Sequence, residues 1–197
     1  MLKEHATPER LSAFSDAVFA VLITVLVLEL RPPEQPTFVA LFSLWERWLS
    51  YAVSYLFIAI VWVNHHHLMR YARAATPGLI WFNFGHLLSV SLLPLSTAWM
   101  AVSELSPQPV AFYAAVFFLV NVTYILLIWE LIGRRPEHEV AQLVRRLMLI
   151  RAGVTLSLFA LAAVIALKYP IPGLAICCGC LILYLKPGAL ELVNPSD

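Results

Sequence analysis

The chain has 197 residues, 61% of them hydrophobic and 13% charged, with a mean hydropathy of +0.81. A soluble domain carries only about 45–50% apolar residues, so this composition excludes one and describes an all-α integral membrane protein in a lipid bilayer. The net charge of +1 leaves no electrostatic surplus of the kind a nucleic-acid partner requires.

The first predicted span is 8–31, PERLSAFSDAVFAVLITVLVLELR. At about 1.5 Å per residue it is long enough to cross a bilayer. Thr7 can cap its start, Pro8 suits the first helical position, and Pro32 and Pro33 end it. Its length, its Asp16 and the lack of a small-residue cleavage site argue against a cleavable signal. The linker 32–44 holds Pro32, Pro33 and Pro36 and reads as an extended loop. Further spans are expected at about 45–71, 77–102, 110–133, 147–168 and 173–186, the last being short. Pro94 predicts a kink in the third span, and 103–109 reads as a turn. Tyr169, Pro170, Ile171 and Pro172 read as a break, and the charged loop 134–146 has helical spacing in part.

Basic residues orient this plan. With the N-terminus inside, the inner segments hold Lys3, Arg10, Arg70, Arg73, Arg134, Arg135, Arg145, Arg146, Arg151 and Lys186, against Arg31, Arg47 and Lys168 outside. The excess on one side puts both ends of a six-span, multi-pass chain in the cytoplasm. The first-span pattern SAFSDAVFA does not recur, so the chain is read as one six-helix unit over 1–197.

Polar residues inside the spans are the candidate sites. Arg10 and Asp16 stand six positions apart, about 240° around a helix, and cannot pair on one face. Asp16 must therefore meet another helix. It is either a structural clamp holding span 1 against its neighbours or an ion- or proton-handling group. Asn64, His65, His66 and His67 follow Trp62 at the end of span 2. Three consecutive His fan over about 200° and cannot share one metal, so neither a metal nor a cofactor is expected. One His is expected to face the bundle and bond Asp16 or Asn83, with the others at the cytoplasmic interface. Asn83, with His86 three residues on, suits an interhelical hydrogen bond. Glu29 and Glu130 stand near span ends. Cys177, Cys178 and Cys180 read as reduced thiols on an apolar segment, and Trp45, Trp48, Trp81, Trp99 and Trp129 as interfacial anchors. No nucleophile elbow, zinc-protease motif, P-loop or carbonyl-filter sequence is present, which argues against an enzyme and against a carbonyl-lined pore.

These residues resemble a known family. R-x-x-x-F-S-D at Arg10, Phe14, Ser15 and Asp16, opening the first of six spans, is similar to the signature of transmembrane protein 175, the endosomal and lysosomal potassium-channel family, and its prokaryotic relatives. W-x-x-H-H at Trp62, His65 and His66 resembles the second span of that family, and Asn83 and Leu93-Pro94 resemble the third. Asn64 and His67 depart from the pattern and leave open which His takes the family role. The resemblance implies a prokaryotic homotetramer of single six-helix units in the cell membrane, passing potassium ions without a carbonyl filter. The first helices would line the pore, and the motif would pack on spans 2 and 3 through Trp62, His65 or His66, and Asn83.

On an ideal first helix, a stripe centred on Val27 includes Ile23, Leu30, Thr24 and Ala20 within about 60°. Rings of Ile23, Val27 and Leu30 would form a hydrophobic gate that closes by dewetting, with Thr24 offering a hydroxyl. Asp16 lies on the same side as Ile23, so if it faces spans 2 and 3 the pore stripe is instead Val21, Thr24 and Leu28. The rival functions are a proton pathway or secondary transporter using Asp16 and His65 or His66, a metal-dependent enzyme built on His65 to His67, and a membrane scaffold.

Overall fold

The computed structural model describes residues 7–133 and 142–185. The chain forms α1 (Pro8–Leu28), a short α2 (Phe38–Phe42), α3 (Trp45–Met69), α4 (Pro77–Ser91), α5 (Leu93–Val102), α6 (Pro107–Ile128), α7 (Gln142–Ala166) and α8 (Pro170–Leu185). Proline stands in the first turn of five of these helices: Pro8, Pro77, Pro94, Pro107 and Pro170. There it has no intrahelical N–H bond to lose and its fixed φ is already helical. Thr7 and Thr76 cap α1 and α4 by accepting the amides of Arg10 and Leu79.

This use of proline accounts for three departures from the sequence reading. The turn expected at 103–109 ends earlier, because Pro107 opens α6. The segment 169–172 does not break the chain along its whole length: Pro170, Ile171 and Pro172 form the first turn of α8. The linker 32–44 is not extended throughout, since Thr37 caps the one-and-a-half-turn α2. The kink expected from Pro94 is a break at Leu92 between α4 and α5. Span 1 stops at Leu28, and Glu29 caps it. The predicted loop 134–146 overlaps α7 from Gln142 on, while Arg134, Arg135, Lys3 and Lys186 lie outside the described residues.

Among the described residues, five helical segments can cross a membrane by length and composition: Pro8–Leu28, Trp45–Met69, Pro77–Val102, Pro107–Gly133 and Arg145–Ala166. The third joins α4 and α5 across their break, and the fourth continues α6 through a π-helical turn at Trp129–Gly133. The apolar part of α8, Pro170–Ile182, is shorter.

The helix α6 is the hub and packs on α3, α4, α5, α7 and α8. Its buried positions run around its circumference, as expected for a helix surrounded by others. At its centre Phe117 stacks on Phe57 of α3 at 3.6 Å and meets Phe159 of α7 edge-on at 5.4 Å. In contrast, α1 buries one stripe only, Leu11, Ser15, Phe19, Leu22 and Leu26, against α3, α4 and α5.

The buried apolar residues form two clusters. One holds Phe19, Val61, Leu87, Val120 and Phe159, and the other Leu11, Leu68, Leu79, Leu127 and Ala152. Five helices pass from one to the other, and each carries a buried polar residue near the crossing: Ser15 on α1, His65 on α3, Asn83 and His86 on α4, Asn121 on α6 and Thr155 on α7. The fold thus has a polar layer between two apolar ones.

The seam between α7 and α8 is set by Gly173. A Cβ there would stand 2.6 Å from Ala166 Cβ and 2.9 Å from its Cα, closer than two packed carbons tolerate. Gly85 on α4 has nothing within 4 Å of such an atom. Gly173→Ala should therefore lower the thermal unfolding midpoint in detergent, by the order of 1–3 kcal/mol of overpacking cost, while Gly85→Ala leaves it unchanged or slightly higher.

Candidate functional site: a buried polar layer beneath the first helix

The site is built where α1, α3 and α4 meet. Ser15 and Phe19 lie one turn apart on the buried stripe of α1, and Asp16 follows at the edge of that stripe. The Asn83 side chain bridges the other two helices. Its Nδ2 donates to Ser15 Oγ at 2.9 Å, and its Oδ1 accepts from His65 Nε2 at 2.7 Å. The Ser15 hydroxyl also bonds the Leu11 carbonyl one turn back at 2.9 Å. All three residues are wholly buried. In a bilayer interior no water competes for these groups, so an unmet donor or acceptor is costly. The triad meets its polar groups from three helices except His65 Nδ1, which has no hydrogen-bond partner among the described residues.

Asp16 pairs not with a His but with Trp62, whose Nε1–H donates to its Oδ1 at 2.8 Å. Trp62 is two-fifths exposed and lies against His66, ring centres 5.7 Å apart. Phe14, next to Ser15, packs on Phe84 of α4. The motif residues Phe14, Ser15 and Asp16 are thus brought together with Trp62, His65 and Asn83. Arg10 lies on the exposed side of the first turn of α1.

Of the three consecutive His, His65 faces the bundle, while His66 and His67 are half-buried. The His65 ring is sandwiched between Phe19, at 5.5 Å, and His86, parallel to within 1° at 5.7 Å. The layer continues from there. His86 Nδ1 and Thr123 Oγ1 are 3.0 Å apart, and the Ser89 hydroxyl bonds both Thr123 Oγ1, at 2.9 Å, and the His86 carbonyl. On the far side of α6, Asn121 Nδ2 donates to Thr155 Oγ1 of α7 at 2.9 Å.

Sequence reasoning overlooked Thr123, Ser89, Asn121 and Thr155. It also overlooked a second polar knot, where the Ser54 hydroxyl is 2.7 Å from both Thr97 Oγ1 and Tyr113 Oη, joining α3, α5 and α6. The available signal was the rarity of polar side chains in such apolar spans, but single Ser and Thr are common there because they bond their own helix carbonyls.

Among the described residues no group of three or more His, Cys, Asp or Glu could hold a metal ion. Cys177 and Cys180 are buried and, with the half-buried Cys178, free thiols. Glu29 is exposed at the end of α1, whereas Glu130 accepts from the Thr76 hydroxyl at 3.1 Å.

The family described as "Endosomal/lysosomal potassium channel TMEM175" matches residues 10–94, a segment that opens on Arg10, closes on Pro94 and contains the Ser15–Asn83–His65 and Asp16–Trp62 contacts. Residues 10–94 are a TMEM175-family segment. It is 36% identical over 121 residues to a potassium channel of Chryseobacterium sp. (strain P1-3), covering 61% of this chain and 63% of that protein. It is 31% identical over 120 residues to the human endosomal/lysosomal proton channel TMEM175, covering 55% of this chain and 23% of that protein. Its fold matches the crystal structure of a lysosomal potassium-selective channel TMEM175 homolog from Chamaesiphon minutus with a TM-score of 0.78 and 26% identity, covering 90% of this chain and 95% of that one. The aligned segment spans less than two thirds of the first bacterial relatives.

The Asn83 amide joins two helices to its own, so Asn83→Leu should destabilise the fold by about 1–3 kcal/mol, the cost of leaving buried partners unmet. Ser15→Ala, which removes a hydroxyl also satisfied by Leu11, should cost about 0.6 kcal/mol, the average for such a bond in a membrane protein. Thermal unfolding of the two variants side by side in detergent checks the order.

Proposed function

We propose that the protein is a potassium-permeable cation channel: a homotetramer of six-span subunits in the cell membrane, both termini cytoplasmic, with no carbonyl filter and no enzymatic activity. The observation that carries this reading is the two-sidedness of α1. Its motif side is locked into the subunit through Ser15 and Asp16. The opposite side, with Ala17, Val21, Thr24 and Leu28, is left uncovered by the subunit's other helices. The names of the relatives as channels support it further. In this proposal α8, short as it is, serves as the sixth span.

Four copies of α1 around an axis would wall an aqueous route. We place the constriction at Ile23, Val27 and Leu30, with Thr24 beside them. Val27 and Thr24 are exposed in the subunit, and Ile23 and Leu30 are half-covered by it, as residues at the seam between subunits would be. Rings of such side chains, one turn apart, empty of water when narrow and fill when widened. A water-filled bore with few fixed ligands discriminates cations by pore width and dehydration cost, without carbonyl coordination. The competing stripe of Val21, Thr24 and Leu28 draws support from the Asp16–Trp62 bond and from the exposure of Val21 (58%) and Leu28 (75%).

Reconstituted protein should pass potassium ions faster than sodium ions in vesicle flux, and Ile23→Asn should raise the leak. Unchanged currents in Ile23→Asn would remove Ile23 from the constriction. Single cysteines along 20–30 separate the stripes: block by a water-soluble thiol reagent at 23, 27 and 30 upholds the first, and block at 21 and 28 the second.

A second reading, proton conduction through Asp16 and His65 or His66, draws on the human relative named as a proton channel and on the stacked His65 and His86. The Asp16→Ala variant bears on both roles of this carboxylate. As a clamp on α1, its loss should reduce assembly on size exclusion. A variant that assembles normally and loses only flux would make Asp16 an ion-handling group.

A further inference from the structure

The end of the molecule where α1 stops and α3 begins carries two arginines that neither the polar layer nor the proposed conduit uses. An open cavity of 310 Å³ lies between the end of α1, the start of α3 and the end of α5. Arg31 and Arg47 line it, and both also line an adjoining cavity of 180 Å³ beside Trp48. Neither arginine side chain makes a hydrogen bond or ion pair to another described residue. The remaining wall is divided: Tyr51, Thr97 and Glu29 supply polar groups, and Leu26, Ala101 and Val102 supply apolar ones.

The surroundings fix the depth of this cavity in a bilayer. Trp45 and Trp48 begin α3, and Trp99 stands near the end of α5, the belt position that indoles prefer. The linker helix α2 exposes Phe38 (78%), Val39 (81%) and Phe42 (72%). It is tied to α3 by Trp48 Nε1, which donates to the Leu41 carbonyl at 3.3 Å. Three exposed apolar side chains on so short a helix suit the boundary between headgroups and acyl chains. Two guanidiniums against one carboxylate leave a net positive pocket at headgroup level, and a guanidinium fork matches phosphate oxygens two at a time.

We propose that this cavity binds the headgroup of an anionic phospholipid, with Arg31 and Arg47 on the phosphate and the walls of Leu26, Ala101 and Val102 against the first acyl carbons. Basic pockets between membrane helices take anionic headgroups at the cytoplasmic face, and the same chemistry stands here at the opposite face. Leu30 is a wall of both cavities, so the lipid would bear on the end of α1. The binding itself does not depend on the channel reading.

The test is thermal unfolding of the full purified chain in detergent with added phosphatidylglycerol, phosphatidylcholine or inorganic phosphate. The expected result is a rise in the unfolding midpoint with phosphatidylglycerol only. That rise should vanish in the Arg31→Gln/Arg47→Gln double variant and persist in Arg70→Gln, a control at the other end of α3. An equal rise in the double variant, an equal rise with phosphatidylcholine, or protection by inorganic phosphate alone would each overturn the site. If the double variant does not fold, native mass spectrometry of the unmodified protein decides. Retention of phosphatidylglycerol over phosphatidylcholine from an equimolar mixture by roughly five- to thirtyfold, the preference one or two such arginines supply, upholds it, and equal retention refutes it.

Discussion

The fold depends on one constraint: polar side chains sealed between two apolar layers take their partners from other helices of the protein, and only single ring nitrogens, His65 Nδ1 and His86 Nε2, are left over among the described His of that layer. Asn83 shows it most directly. The amide has an NH2 group to donate and a carbonyl oxygen to accept, and Ser15 and His65 take one bond from each, on two different helices. An apolar contact between membrane helices tolerates sliding, because lipid tails are as good a neighbour as leucine. The Asn83 bonds do not, since a shift by one residue would leave three buried groups unmet. The register of α1 against α3 and α4 is therefore a hydrogen-bond register, with the apolar clusters above and below filling the space around it.

That register explains why α1 can be well anchored and yet poorly covered. Only one stripe of it is buried, but the stripe carries Ser15, flanked by Leu11 and Phe19, and Asp16 is held at its edge by Trp62. The uncovered side is left free for whatever lies beyond the subunit. In the proposed tetramer this is the axis and the neighbouring α1 helices, and the clamp is what would keep four such helices at a fixed tilt around a water-filled route. A constriction lined only by apolar side chains has little chemistry of its own, so its width must be set by how rigidly its walls are held.

The rest of the bundle is built on different terms. The helix α6 is enclosed by aromatic packing, with Phe117 between Phe57 and Phe159, and α8 approaches α7 closely because Gly173 has no side chain. Ser54, Thr97 and Tyr113 repeat the logic of the polar layer about three turns earlier on α3. The two knots hold α3 at two levels, one near its end against α1 and α4, the other near its middle against α5 and α6.

Much of this was legible in the chain before folding. Hydropathy marks the membrane-crossing segments because length and greasiness are properties of a segment alone. The motif residues on α1 stand out because polar groups in such a segment need a reason. Proline was less legible: Pro107 and Pro170 read as breakers but open α6 and α8, because the same ring that ends one helix suits the first turn of the next. The partners were decided only by tertiary structure. Spacing alone left one His to bond either Asp16 or Asn83; the structure puts His65 on Asn83 and leaves Asp16 to the Trp62 indole. Whether Thr123, Ser89, Asn121 and Thr155 bond across helices or only to their own carbonyls is likewise invisible in the sequence. A hydrogen bond between helices depends on how two segments rotate and rise against each other, and that relation is a property of the packed assembly rather than of either segment.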